Sequence, residues 1–178
     1  MAKGFGRILY GGDYNPNQWP KEIWEQDMVY FKDARINSAT INVFSWAKIQ
    51  PAEDTYYFGE LDEIVEMLRK ENYDIVLATS TGAMPAWLYK KYPEVARTDY
   101  FGRHHKFGQR HNHCPNSLVF QKYAKALVEK LAERYEALRC FDSEYSRYRC
   151  LIAFSSLNAQ PGLPPGCAFF VIFSLYFS

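Results

Sequence analysis

The side chains best suited to bind a sugar lie in four short stretches of the sequence. Carboxylate, amide and guanidinium groups there can exchange paired hydrogen bonds with vicinal hydroxyls, and indole rings can stack on the apolar face of a sugar ring. The whole chain is 17% aromatic, which suits this chemistry. The stretches contain Asp13, Tyr14 and Asn15; Trp46; Thr79, Ser80 and Trp87; and Arg110, His111, Asn112 and His113.

Each of these residues also has a purely structural interpretation. The alternative for Asp13 and Asn15 is that they cap a turn. The alternative for Trp46 and Trp87 is that they close the top of the fold. A binding site is favoured because the stretches gather at one edge of the predicted sheet, as the elements below indicate.

Histidine and cysteine occur together in His111-x-His113-Cys114. A catalytic zinc needs about three protein ligands and a structural zinc about four, and no second His/Cys cluster of matching spacing follows. Cysteine–histidine nucleophilic catalysis has no supporting motif, since Pro115 directly follows Cys114. The sequence therefore predicts no metal site and no cofactor.

An alternation of strands and helices positions these stretches. Short apolar or β-branched runs predict strands, and apolar residues recurring every three or four positions predict helices. The predicted strands are 7–10, 38–44 and 74–78, and the predicted helices run from Pro20 to near Ala34, over 61–68 and over 117–135. Gly11-Gly12 is predicted to end the first strand. Parallel βαβ units bring all strand ends to one rim, where ligands bind.

The chain after Tyr135 has a different character. Residues 136–178 show no helical or strand period, and they contain two Pro-Gly turns before a terminal apolar run. That run has about a dozen residues, whereas a membrane span needs about 20, so no membrane segment is predicted. The net charge of +1 gives no reason to expect nucleic-acid binding. Without an apolar signal segment near Met1, we expect a cytoplasmic protein.

The motifs along the predicted rim resemble the β-galactosidases of glycoside hydrolase family 42. The resemblance covers about residues 5–135, and several separate motifs occur in the family's order. They are Tyr10-Gly11-Gly12-Asp13-Tyr14-Asn15-Pro16, Gln18-Trp19-Pro20, Phe44-Ser45-Trp46-Ala47, Gln50-Pro51, Pro85-Ala86-Trp87-Leu88, Tyr92-Pro93-Glu94-Val95 and Phe107-Gly108, then Arg110, His113-Cys114-Pro115 and Ser117.

The resemblance implies an α/β fold, a (β/α)8 TIM barrel, that hydrolyses terminal β-D-galactosides with retention through two glutamates. Arg110 matches the family's sugar-binding arginine, and Asp13, Asn15 and Trp46 are expected to contact substrate beside it. Cys114 matches one ligand of a zinc cluster found in some members. The remaining cysteines lack the close spacing of that cluster, so no zinc is expected here.

The sequence departs from the family after residue 135. The family carries its acid/base in an Asn-Glu pair at the end of the fourth strand and its nucleophile on a much later strand. Ser143-Glu144-Tyr145 is the nearest match, which makes Glu144 the only candidate acid/base; no strand matching that of the nucleophile is present. We therefore expect residues 1–135 to form the N-terminal portion of the barrel and 136–178 a divergent tail, by hypothesis frameshifted.

Three βα units cannot close a barrel that typically needs about 250 residues. The expected fold is therefore a partial TIM barrel, three βα units plus an irregular C-terminal tail, that self-associates through uncovered sheet edges. The chain alone is expected to be inactive. The alternatives are a non-catalytic remnant or weak carbohydrate-binding fragment, and a flavodoxin-like nucleotide binder. The latter is disfavoured because no glycine-rich phosphate loop follows the first strand.

Overall fold

The computed structural model of the chain describes residues 8–108, 113–135 and 150–153. Four strands alternate with helices along the chain, which is the order of an α/β protein. The strands are β1 (Gly11–Asp13), β2 (Ser38–Ile41), β3 (Asp74–Ala78) and β4 (Cys150–Ala153). The helices are α1 (Lys21–Asp33), α2 (Trp46–Ile49), α3 (Gly59–Lys70), α4 (Ala86–Lys91) and α5 (Leu118–Tyr135), with short 3-10 turns at Pro16–Gln18 and Pro93–Val95.

The four strands form one sheet in the order β1-β2-β3-β4, and every neighbouring pair is parallel. Ser38 pairs with Gly11 on one side and with Asp74 on the other. Sequential order with parallel pairing is how a (β/α)8 barrel begins. All four strands therefore end at the same rim, as the sequence predicted for the first three.

The strand β4 is an element that the sequence did not predict. It pairs Ile75 with Cys150 and Ala78 with Ala153, inside the region 136–178 that was expected to be irregular. Four residues are too few for a strand period to be recognised in the sequence. Their strand conformation is stabilised instead by pairing with the buried β3.

The first strand was predicted too early, at 7–10, with Gly11-Gly12 as its end. Both glycines lie inside β1 instead. A Cβ atom on Gly11 would overlap the carbonyl oxygen of Ser38 on the neighbouring strand. Glycine is thus required here by close approach of two backbones rather than by a turn.

The second strand is shorter than predicted because Asn42 has a φ of 67°, a left-handed conformation that ends an extended segment. The third strand has the predicted bounds. The long helices α1, α3 and α5 also confirm the predicted helical periods, within two residues at their ends.

The hydrophobic core lies between the sheet and these long helices. Alternate residues of the two central strands, Ala39 and Ile41 on β2 and Ile75 and Leu77 on β3, belong to one buried cluster. The helices contribute Trp24 and Met28 from α1, Leu61, Ile64, Val65 and Leu68 from α3, and Phe120, Ala124, Leu127 and Leu131 from α5. Across the described ranges, no helix has the length and apolarity to cross a membrane.

Candidate functional site

The rim at the strand ends holds the first two predicted site residues. Asp13 is the last residue of β1, and its side chain is exposed. Asn15 is half-buried and precedes the 3-10 turn, yet its side chain makes no capping hydrogen bond. The turn-capping interpretation thus has no support for Asn15. Asp13 and Asn15 thus both lie at the rim, the first exposed and the second half-buried.

The neighbouring Tyr14 has a different role. Its ring is buried, packs edge-on against Phe31 at 4.9 Å between ring centroids, and donates from its hydroxyl to Asp27 of α1 at 3.0 Å. Burial and the adjacent carboxylate raise the pKa of Tyr14 well above its usual range. This tyrosine connects the end of β1 to α1, and its hydroxyl is engaged by Asp27.

Trp46, expected to stack on sugar, is fully buried in the four-residue helix α2. Its indole nitrogen donates to Gln50 Oε1 at 2.8 Å, and its ring meets Phe120 edge-on at 5.7 Å. Trp87 is half-buried, and its indole nitrogen donates to the carbonyl oxygen of Gln50 at 2.8 Å. In this structure Trp46 therefore backs the rim and offers no open face.

Arg110 and Glu144 lie outside the described residues. Three residues after Arg110 in sequence, His113 pairs with Ala96 in an antiparallel bridge and stacks on the ring of Phe120 at 4.0 Å with the planes 5° apart. The backbone nitrogen of Cys114 donates to the carbonyl oxygen of Val95 at 2.7 Å. These contacts hold His113 and Cys114 against the chain at Val95 and Ala96.

Chain order bears on Glu144. This residue precedes β4, whereas the rim follows the last residue of β4, Ala153. No aspartate or glutamate occurs in residues 145–178. The fourth strand is therefore not followed by a carboxylate in this sequence.

A pair of left-handed residues joins the ends of β2 and β3, and the sequence analysis missed its role. Asn42 and Ser80 have φ values of 67° and 61°. The Ser80 hydroxyl donates to the carbonyl oxygen of Asn42, and Asn42 Nδ2 donates to that of Ala78 at 2.9 Å. Ser80 Oγ also accepts from the backbone nitrogen of Ser45 at 3.2 Å. Asparagine directly after a β-branched run was the available signal, since it tolerates this conformation best.

A cavity of about 20 Å³ lies beside this pair, large enough for about one water molecule. Its lining includes Tyr14, Asn17, Asn42, Ser45 and Lys48. Asn42 Oδ1 is buried and has no hydrogen-bond partner among the described residues. Within those same residues, no three histidine, cysteine or acidic side chains are grouped as a metal site, and Cys114 is a free, half-buried thiol.

Comparison with known proteins identifies the fold and the family. The family model of glycoside hydrolase family 42, described as β-galactosidase, matches residues 13–141. The β-galactosidase LacZ of Lactobacillus acidophilus is 58% identical over 130 residues, which cover 73% of this chain and 20% of that protein. The β-galactosidase BgaA of Planococcus is 56% identical over 131 residues, covering 73% and 19%.

Solved structures agree. A β-galactosidase from Bacillus circulans sp. alkalophilus superposes with a TM-score of 0.75 at 52% identity, over 86% of this chain and 22% of that one. The family 42 β-galactosidase Gan42B from G. stearothermophilus gives 0.72 at 35% identity, over 82% and 21%. The chain thus spans about a fifth of the length of these relatives, and the predicted partial TIM barrel is confirmed. The chain belongs to the β-galactosidases of glycoside hydrolase family 42.

Proposed function

We propose that this chain forms the N-terminal part of a β-galactosidase barrel and contributes one side of its sugar site. The reaction of the whole barrel is hydrolysis of terminal β-D-galactosides with retention, by two glutamates. The observation that carries the proposal is the match of the family model to residues 13–141, which include the ends of the first three strands. Ligands of such barrels bind at that end.

The proposed residues of the sugar site are Asp13, Asn15, Trp46 and Arg110. The Asp13 carboxylate is exposed, and the Asn15 amide makes no capping hydrogen bond to the 3-10 turn, so both groups can hydrogen-bond to sugar hydroxyls. Trp46 contributes from behind, since its buried ring supports the wall of the site. Arg110 is proposed from the family motif alone.

The proposed mechanism needs two carboxylates about 5–5.5 Å apart, one as acid/base and one as nucleophile. Glu144 is the candidate acid/base in this sequence, and no candidate nucleophile is present. With one of the two groups absent, hydrolysis by this chain alone should fall by orders of magnitude. We therefore propose an enzyme by descent whose isolated chain does not turn over substrate.

Hydrolysis of a chromogenic β-galactoside by the purified chain and by Glu144→Gln tests this directly. We expect no turnover by either protein. Turnover that disappears in the variant would place the acid/base at Glu144 and would require a second carboxylate from elsewhere. That result would contradict the proposal that the isolated chain is inactive.

A chimera tests the family function separately. Residues 5–135 of this chain replace the matching segment of the L. acidophilus enzyme, and the chimera should hydrolyse β-galactosides. Arg110→Ala and Asp13→Asn in the chimera should lower kcat/KM at least about tenfold, whereas the matched changes Arg97→Ala and Asp33→Asn at exposed positions should leave it unchanged. A folded but inactive chimera would refute the proposal.

The second candidate function is a non-catalytic remnant or weak carbohydrate-binding fragment. It is favoured by the position of Glu144 before β4 and by the absence of acidic residues from 145–178. Titration of the chain with a non-hydrolysable β-thiogalactoside separates the two parts of this candidate. Saturable binding supports the binding fragment, and no binding supports the remnant.

The proposed binding partner is a β-galactoside substrate. We propose that the protein binds neither nucleic acid nor a membrane and that it acts in the cytoplasm. We also propose self-association through the sheet edge at β1. All three residues of β1 are exposed, and so are Ile8 and Tyr10 just before it; an exposed edge of this kind pairs readily with another chain. Sedimentation velocity over a concentration series should show association, and a monomer at every concentration would contradict it.

A further inference from the structure

Gln50 is a buried residue that accepts hydrogen bonds from both Trp46 and Trp87. Its side-chain oxygen accepts from the indole nitrogen of Trp46, and its backbone carbonyl accepts from that of Trp87, both at 2.8 Å. Its side-chain nitrogen donates to the carbonyl oxygen of Glu53 at 2.7 Å. A fully buried residue that both accepts and donates in this way uses the two functions of an amide, which neither a carboxylate nor a hydrocarbon offers.

Glu53, whose carbonyl oxygen accepts from Gln50, extends this hydrogen-bond arrangement to other elements. Its carboxylate accepts from the Tyr92 hydroxyl at 2.7 Å and also from the hydroxyl of Tyr123 and the ammonium group of Lys91. These donors come from the end of α4 and from α5. Hydrogen bonds to an ionised carboxylate are among the stronger ones in proteins, so Glu53 ties the loop after α2 to two other elements.

The two tryptophans depend on these contacts for their orientation. Trp46 lies in a helix of four residues and Trp87 in one of six, and helices so short have little stability of their own. Trp46 packs edge-on against Phe120 of α5, and His113 stacks on the same ring. The arrangement thus connects both tryptophans to α5.

We propose that Gln50 and Glu53 are positioning residues of the sugar site. They hold Trp46 and Trp87 at the rim. Neither residue is required to touch the substrate. This inference rests on the proposed function, because it assigns the arrangement to a sugar site.

The test uses the full chain with ¹⁵N-labelled tryptophan, whose four indole N–H groups give four resolvable signals. Gln50→Glu removes the donor to Glu53, and Glu53→Gln removes the ionised acceptor. Both should shift the Trp46 and Trp87 signals and speed their hydrogen exchange at least about tenfold. The Trp24 signal is an internal control, because its indole nitrogen donates to Pro16 at 2.7 Å, outside the arrangement.

Matched controls are Gln26→Glu and Glu66→Gln, the same chemical changes at exposed positions of α1 and α3. Each variant is also titrated with the β-thiogalactoside, and we expect affinity to fall at least about fivefold in the two test variants only. Unchanged Trp46 and Trp87 signals in the folded variants would overturn the positioning role. Altered signals with unaltered affinity would overturn its link to the sugar site. Wild-type chain that binds no thiogalactoside, beside an inactive chimera, would instead refute the proposed function.

Discussion

Arg134 near the end of α5 and Asp62 in the first turn of α3 form a two-pronged ion pair. Arg134 Nε lies 2.9 Å from Asp62 Oδ1, and Nη2 lies 2.5 Å from Oδ2. The Tyr135 hydroxyl also donates to Asp62 at 2.9 Å. The Arg134 guanidinium and this hydroxyl lower the pKa of Asp62. One carboxylate thus fastens the end of the last long helix to the middle of the fold.

Replacing this carboxylate should weaken the chain measurably. The two side chains are 36% and 48% exposed, so solvent screens the pair, and we expect Asp62→Asn to lower the free energy of unfolding by about 1 kcal/mol. Urea denaturation measures this. Glu66→Gln on the same helix removes an exposed pair with 3.9 Å between Lys70 Nζ and the carboxylate and should cost much less. Equal effects of the two changes would contradict the assignment.

Glu53 should make stability depend on pH in the acid range. Hydrogen bonds from Lys91, Tyr123 and Tyr92 lower the pKa of Glu53 from 4.5 to about 2. Because the folded-state pKa is below the unfolded value, the stabilisation is fully present above about pH 4.5 and is lost as the pH falls towards 2. The free energies of unfolding of wild type and Glu53→Gln, measured by denaturation between pH 2 and 6, should converge at low pH. A constant difference between them would show that the carboxylate charge is irrelevant.

The two glycines of β1 should respond differently to the same change. A Cβ on Gly11 would overlap the Ser38 carbonyl, whereas one on Gly12 has no atom within 4 Å. We expect Gly11→Ala to lower the free energy of unfolding by about 2–4 kcal/mol or to prevent folding. Gly12→Ala should change it by less than about 0.5 kcal/mol. Circular dichroism with urea denaturation tests the pair, and equal stabilities would place β1 differently from this structure.

Asn42 should be replaced better by glycine than by alanine. Both changes remove the 2.9 Å hydrogen bond to Ala78, but only alanine has a Cβ that disfavours a φ of 67°. We expect Asn42→Ala to be about 1 kcal/mol less stable than Asn42→Gly. The difference is read from two denaturation curves. Alanine equal to or better than glycine would argue against the left-handed conformation.

The sequence predicts the long elements of this fold well, because their signal is local. Leu61, Ile64, Val65 and Leu68 recur on one face of α3, and 74–78 is a continuous buried run. The errors arise where tertiary contact decides. Glycine at position 11 is typical of a turn, but Gly11 is a strand residue because its backbone lies close to the carbonyl of Ser38 on β2. The strand β4 is defined by its pairing with β3.

The positions of the candidate residues Asp13 and Asn15 in the fold were predictable from the sequence, but the orientation of Trp46 was not. Strand ends correctly locate Asp13 and Asn15 at the rim. Residue type did not reveal that the Trp46 ring turns inward, since this follows from an acceptor four residues later on Gln50. Contacts across the sequence, such as that of Glu53 with Tyr123, leave no local pattern.

The pairing of β3 with β4 has a consequence for the order of folding. Ile75 pairs with Cys150, whereas Ser38 pairs with Asp74, so the last pairing closes a loop about twice as long. Each doubling of loop length costs about 0.6 kcal/mol of chain entropy, and contacts distant in sequence form late. The first three strands and α1 to α3 should therefore assemble first, and β4 should be the first strand to detach when the chain begins to unfold.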